Sequence, residues 1–428
     1  MFIPINNVYF KPSKQDTIKI GSPFKIPNGY ARIIPNSISL ARSREELSTT
    51  KLEFPNSELK SILDTKKASL TLLPTLDCNL RCIYCYSKGG ENKINMTKNI
   101  AKSAINYIKS LSDSDSLELG FHGGGEPLMN FNTVAFAANY SKEIFKEVYI
   151  TLTTNGTVSK SKLEWIIDNC DMVRISNDGL AQDIQRPIAR DKNSSQIVEN
   201  NLKSIIGSDV RSMVQCVVTE KTISTMKDSI RYFHNLGLKY VKLEPAYVTN
   251  WTRGEQNMNP IVGTFVDTLL ETLDMIVDEN LDMKIDTGLF SRPTLGAYCG
   301  VHGSNFIVTP EGYVSSCPEV GLKNHELADT MIYAKLTEDG NLESDEKKLS
   351  KLKMMHFSNY PKCSDCDLKL VCRSGCSAKN INEKGFSYQP SEVACKMEKL
   401  FVPELLSRIL LNPKYADVVM ENHKLITY

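Results

Sequence analysis

The sequence has almost no net charge: 51 Lys and Arg against 50 Asp and Glu leave +1 over 428 residues. Such a balance gives no electrostatic reason to expect a nucleic-acid or membrane-surface partner. No apolar run approaches the roughly 20 residues that a membrane-spanning helix needs. The start, Met1-Phe2-Ile3-Pro4-Ile5-Asn6-Asn7, has neither the basic nor the apolar region of a secretion signal. A cytoplasmic protein is therefore expected, with no nucleic-acid and no membrane partner. There is no internal repeat and no low-complexity tract, and Gly123 to Gly125 lack the Walker spacing and a following Lys, so no nucleotide-binding glycine fingerprint is present. What remains is an ordinary globular composition, 41% hydrophobic and 24% charged, on a chain long enough for two or three domains.

Cysteine is what the chain does have, twelve in all. In a reducing compartment clustered thiols read as metal ligands or redox groups, and not as cross-links. Cys78, Cys82 and Cys85 form one group; Cys299, Cys317, Cys363, Cys366, Cys372, Cys376 and Cys395 form another; Cys170 and Cys216 stand alone between them. The isolated pair reads as buried thiols, since free Cys behaves as a small hydrophobe.

The region between the groups alternates strand and helix. Short β-branched or aromatic runs predict strands over 69–76, 117–122, 148–153, 172–176, 212–218 and 240–244, and 3.6-residue periodicity predicts helices near 97–111, 132–147, 159–169, 196–206, 223–236 and 261–279. Six β-then-α units imply an α/β fold, a parallel sheet with right-handed crossovers that curls toward a barrel. In such folds the chemistry gathers beyond the C-terminal ends of the strands. The first cysteine group follows strand one, His122 to Pro127 follow strand two, Thr154-Asn155-Gly156 follow strand three and Asp178-Gly179 follow strand four. These segments should converge on one rim.

The flanks differ in character. Residues 305–309 and 313–316 predict a hairpin turning at Pro310-Glu311-Gly312. Pro361 to Cys395 hold five cysteines and few large apolar residues, a composition that leans on bound metal for stability. The first 68 residues suggest strands over 7–10 and 31–38 and a helix over 57–64, and 343–353 reads as a solvated helix face. His234 and His356 read as surface or interface residues and Met354-Met355 as core. The expected organisation is an N-terminal segment (1–68), a barrel (69–285), a cysteine-rich domain (286–400) and a helical tail (401–428).

Taken alone, Cys78-x3-Cys82-x2-Cys85 fits either zinc or an iron–sulfur centre. Three thiolates leave one metal position open, with no fourth ligand nearby. With Tyr84 before the third Cys and Gly124-Gly125-Glu126-Pro127 after the next strand, the sequence resembles the radical SAM superfamily. That resemblance implies a partial (β/α)6 TIM-like barrel and a [4Fe–4S] cluster on Cys78, Cys82 and Cys85 with S-adenosylmethionine (SAM) on the open iron. One-electron cleavage of SAM would then give a 5′-deoxyadenosyl radical that abstracts hydrogen from substrate. It further implies that Gly124, Gly125 and Glu126 hold the methionyl ammonium, that Tyr84 lies near the adenine, and that Thr154 and Ser176 contact the ribose. Turn chemistry is the competing reading for Thr154-Asn155-Gly156 and Asp178-Gly179.

The second group is similar to the seven-cysteine SPASM extension of peptide- and protein-modifying radical SAM enzymes. A zinc ribbon is the alternative for Cys363, Cys366, Cys372 and Cys376. The resemblance implies auxiliary cluster I on Cys299, Cys317 and Cys376 and auxiliary cluster II on Cys363, Cys366, Cys372 and Cys395, three [4Fe–4S] clusters in all. Two departures matter. Some relatives add a cysteine between the positions of Cys299 and Cys317, which is missing here, so cluster I is expected to keep an open site for a substrate thiolate, water or a ligand such as His302. Sulfatase-maturating relatives carry Asp after the cysteine matched by Cys317, where this chain has Pro318, and Glu319, one place on, is not expected to substitute.

The leading expectation is an enzyme, a radical SAM maturase that modifies a ribosomally made precursor peptide by a thioether or carbon–carbon cross-link. It would take electrons from a flavodoxin or ferredoxin. Maturation of a protein substrate, of sulfatase or dehydrogenase type, is the second reading, and a non-catalytic iron–sulfur electron carrier the third. Residues 1–68 are expected to be a reduced leader-peptide module. Glu244-Pro245, after strand six, point at the same rim.

Overall fold

The computed structural model describes residues 17–47, 52–55, 68–111, 114–190, 192–419 and 426–427. The expected strand 7–10 and helix 57–64 lie outside them. Strands β1 (Thr17–Ile20), β2 (Phe24–Ile26), β3 (Gly29–Ile34), β4 (Ser37–Ala41) and β5 (Leu52–Pro55) make two small sheets, β1 with β5, and β2, β3 and β4 antiparallel to one another. The single strand expected over 31–38 is in fact a hairpin. Pro35 lacks the N–H that a strand needs, and Asn36, at φ 58°, takes the left-handed turn conformation that Asn tolerates.

The barrel follows as read. Strands β6 (Ala68–Leu72), β7 (Ser116–Phe121), β8 (Glu147–Thr154), β9 (Met172–Ser176), β10 (Arg211–Val218) and β11 (Tyr240–Pro245) pair in sequence order, all parallel. Intervening helices Lys98–Leu111, Phe131–Ile144, Lys160–Asn169, Ser195–Ile206 and Met226–Asn235 cover the sheet. Each presents one apolar stripe: in the first, Ile100, Ala101, Ala104, Ile105 and Ile108 are buried, and the Thr97 hydroxyl accepts from the Ile100 amide at 3.2 Å to cap its start. Along the strands buried apolar residues alternate with less buried ones, as Leu117, Leu119 and Phe121 of β7 do with Ser116, Glu118 and Gly120, so that one face of the sheet packs beneath the helices.

Three further strands of this sheet were not foreseen. After helix Val262–Asp278, β12 (Lys284–Asp286) adds a seventh parallel strand on β11. The expected hairpin, β13 (Ile307–Val308) with β14 (Tyr313–Ser315), lays β13 parallel against the free edge of β6, and β15 (Ile332–Leu336) and β16 (Leu342–Ser344) extend it. The result is an 11-stranded sheet running from β12 to β16 that stays open, because β6 pairs with β13 and not with β12.

The cysteine-rich stretch folds into short turns and helices, the longest being Ser377–Lys384. Helix Glu392–Leu411 then packs Phe401, Val402, Leu405, Leu406 and Ile409 into the core against helix Val262–Asp278, joined by an Arg408–Asp274 ion pair at 2.8 Å. The tail is not wholly helical: after helix Lys414–Val419, β17 (Ile426–Thr427) pairs parallel with β4. His356 is buried, not superficial, with Nε2 on the Leu295 carbonyl at 2.8 Å. Cys170 and Cys216 are buried, as expected. Helix Glu346–Lys353 turns Leu349 and Leu352 inward. Among the described residues no helix is long and apolar enough to cross a membrane.

Candidate active site

The loop after β6 is held by its neighbours on two sides. Amides of Gly125 and Glu126 donate to the carbonyls of Thr75 and Asp77 at 3.0 and 2.8 Å. From the β9 side, the carbonyls of Pro187 and Gln185 accept from Arg81 N and Ile83 N at 2.8 and 2.9 Å. The approach of the loop after β7 is so close that a β-carbon on Gly125 would sit 2.0 Å from the Asp77 carbonyl oxygen, and one on Gly124 2.2 Å from Leu76 Cδ2. At Gly125, where the neighbour is backbone, only glycine fits.

Each thiol of the loop has donors aimed at its sulfur. Cys78 Sγ faces Leu80 N at 3.4 Å and Asn155 Nδ2 at 3.8 Å; Cys82 Sγ faces Arg186 Nη1 at 3.9 Å; Cys85 Sγ faces Gly89 N at 3.4 Å. Burial pushes the Cys78 thiol up to about 12 and that of Cys82 to about 11, the latter opposed by Arg186. A metal must therefore displace these protons to bind. Donors converging on every sulfur suit thiolate ligands, which accept such bonds.

The remaining residues singled out for SAM are placed as follows. Glu126 is buried, its oxygens accepting from Thr154 Oγ1 (2.9 Å), Leu128 N (3.2 Å) and Asn155 N (2.7 Å). Burial raises its carboxyl pKa against those bonds. The Gly124 carbonyl accepts from the Ser87 hydroxyl, leaving a second lone pair for a cation, while the Gly123 carbonyl meets both the Tyr86 hydroxyl and His122 Nδ1. Ser176 ends β9 half-buried. Tyr84 points inward and donates to Asp178, which also holds Arg186 in an ion pair at 3.0 Å. Turn chemistry is present too: Asn155 Oδ1 accepts from Thr157 N and Asn177 Oδ1 from Gly179 N, at 2.9 and 2.8 Å.

In the C-terminal half two groups of thiols form. After burial as the leading cause, Cys376 raises the thiol pKa of Cys299 and Cys317, and Cys366 and Cys395 raise those of Cys363 and Cys372, which places each set together. Among the described residues no three His, Cys, Asp or Glu side chains gather as a single-ion site. His302 is buried, with Nδ1 2.9 Å from the Cys299 carbonyl. Cys299 is exposed, although desolvation raises its thiol to about 12. A separate cavity of about 320 Å³ lies over Cys366, between Ile20 to Ser22 and Asp365 to Leu370.

Several residues at this site had no motif to announce them. Tyr86 stands where the first loop meets the three-thiol group, with Cys85, Cys317, Glu319 and Glu244 as ionisable neighbours. Glu319 is a near neighbour of Cys317 and Cys376, and burial raises its carboxyl while Lys379 opposes the shift. Glu244 does reach this rim, paired with Lys242 at 2.7 Å. Its position at the end of β11 was the only signal in the sequence.

Comparison with known proteins follows this geometry. Residues 72–233 match the family model of the Radical SAM superfamily, so the barrel is a radical SAM domain, the core of an enzyme. An uncharacterized protein of Methanocaldococcus jannaschii is 31% identical over 179 residues, 41% of this chain, and the match spans 61% of that protein's length. A cysteine-type anaerobic sulfatase-maturating enzyme of Clostridium novyi is 21% identical over 80% of this chain and 96% of its own. Among solved structures, anSMEcpe with bound AdoMet and the Cp18Cys peptide superposes with a TM-score of 0.64 at 20% identity, over 81% of this chain and 98% of that one. SuiB of Streptococcus suis bound to precursor peptide SuiA has a TM-score of 0.57 at 15% identity, over 79% of each. At these identities the superpositions show a shared fold.

Proposed function

We propose that the chain is a radical SAM maturase acting on a peptide substrate, and that it forms a thioether or carbon–carbon cross-link in a ribosomally made precursor. The observation that carries the reading is that Tyr86 neighbours both Cys85 of the first loop and Cys317 of the three-thiol group, which brings the two groups to one region. The likeness to SuiB, whose structure holds a precursor peptide, supports the same substrate class. Pro318 in place of an acid disfavours formylglycine chemistry, although a sulfatase-maturating relative matches most of the chain.

In this reading Cys78, Cys82 and Cys85 hold a [4Fe–4S] cluster and Gly124, Gly125 and Glu126 the ammonium of SAM, with Tyr84 near the adenine and Thr154 and Ser176 at the ribose. Cys363, Cys366, Cys372 and Cys395 hold one auxiliary cluster and Cys299, Cys317 and Cys376 another, with a position left for a substrate thiolate or His302. Together with SAM, the first cluster supplies one-electron sulfonium cleavage and hydrogen-atom abstraction. The chain's own residues do the rest. Glu126 locks the loop after β8 to the loop after β7, and Gly124 and Gly125 admit the cysteine loop. Tyr86, Glu244 and Glu319 wall the space in which substrate is oriented and water excluded. A flavodoxin or ferredoxin donates the electrons.

Anaerobic reconstitution tests this. Iron and sulfide for three clusters are expected, with 5′-deoxyadenosine formed from SAM and dithionite. Replacing Cys78, Cys82 and Cys85 with Ala should abolish the nucleoside and leave auxiliary iron bound. Mass spectrometry of a candidate precursor after co-expression then reads the bond. Iron without nucleoside would instead favour an electron carrier.

A further inference from the structure

We infer that Arg186 is a positioning residue that sets the redox poise of the first-loop cluster through its contact with Cys82. This inference rests on the function proposed above. The three sulfurs are not treated alike. Cys78 and Cys85 receive neutral amide donors, whereas the donor on Cys82 is a guanidinium, Nη1 at 3.9 Å from Sγ. Arg186 is 8% exposed in its side chain, so little water screens its charge.

If Arg186 served only to pair with Asp178, a fork-to-fork geometry would be the favourable one. It does not adopt it. Nε lies 3.0 Å from Asp178 Oδ2 but has no acceptor in hydrogen-bond alignment. Asp178 is instead shared with Val217 N (2.9 Å), Gln185 Nε2 (2.8 Å) and the Tyr84 hydroxyl. The guanidinium is turned so that Nη1 reaches the sulfur, with Cζ 5.3 Å from the Tyr84 ring centroid. Its backbone is fixed as well, because the residues on either side, Gln185 and Pro187, accept from Ile83 and Arg81, the residues on either side of Cys82. Arginine and sulfur are thus held opposite each other by two main-chain bonds.

Reduction adds negative charge to a thiolate-ligated cluster, so a fixed cation at a ligand sulfur favours the reduced form. Asp178 offsets part of that cation's effect. The two residues should therefore act in opposite directions, which a purely structural ion pair would not do.

The test is a redox titration of the reconstituted full-length enzyme followed by electron paramagnetic resonance, reading the signal that added SAM perturbs. In R186Q the reduced-to-oxidised ratio at fixed poise should fall about tenfold, about 59 mV for a one-electron couple. R186K, which keeps the charge, should restore most of it, and D178N should shift the ratio the other way. An unchanged midpoint in R186Q with iron retained overturns the inference, as does an R186K midpoint equal to that of R186Q. If R186Q loses its iron, D178N decides: a shift toward the oxidised form, or none, overturns it. A wild-type enzyme with no SAM-responsive signal fails the functional reading instead.

Discussion

A β-carbon on Gly125 would lie 2.0 Å from the Asp77 carbonyl, and backbone cannot yield there without moving the cysteine loop. G125A should therefore keep its far-ultraviolet circular dichroism but lose first-loop iron, read as a drop in iron per chain with auxiliary signals intact. His356 makes a prediction about pH. Burial, first among its causes, lowers its pKa from 6.5 to about 3, so the fold favours the neutral ring and binds fewer protons than the unfolded chain. Stability from this residue is then full above 6.5 and declines as pH falls toward 3. Urea midpoints measured from pH 7 to 5 should fall, and in H356Q that slope should flatten. At this scale the sequence disclosed the cysteines and glycines, whose spacing is itself a pattern. Arg186 was invisible because its partner is remote in the chain, Cys82 lying 104 residues away, and no local rule reaches that far.

Among the elements, the six parallel strands and their helices matched expectation because each carries its own periodicity. The mismatches came from short elements defined by a distant partner. A strand of three residues such as β12 has too little alternation to detect, and the place of the expected β13 beside β6 is fixed by bonds such as Thr71 N to Phe306 O at 3.0 Å, which no local pattern announces. Helix Glu392–Leu411 was also under-read, since Pro403 lies inside it and interrupts one helical bond. Tertiary packing holds it. Leu405 is fully buried, so L405A should cost roughly 2–5 kcal/mol by chemical denaturation, as core leucines do. A cost under about 1 kcal/mol would show that this helix is not part of the core.

For the whole molecule, the expected boundary near residue 285 does not coincide with a break in the sheet. Truncation after Asp286 would remove β13 and bare the edge of β6, a row of unpaired main-chain groups prone to association. Such a fragment is expected to aggregate, by light scattering, at concentrations where the full chain stays monodisperse. Hydrogen exchange should agree: the Thr71 and Leu73 amides, which donate to Phe306 and Val308, should exchange only with global opening.

The pairing of β13 with β6 has one more consequence. The strand that launches the first cysteine loop is bonded on its other edge to the hairpin that leads into Cys317. A ladder of main-chain bonds does not stretch, so the span from one thiol group to the other behaves as a fixed gauge and not as a jaw. Substrates would be sorted by whether two of their atoms match that span, and a peptide spaced one residue too short or too long would be refused without any part of the enzyme having to move.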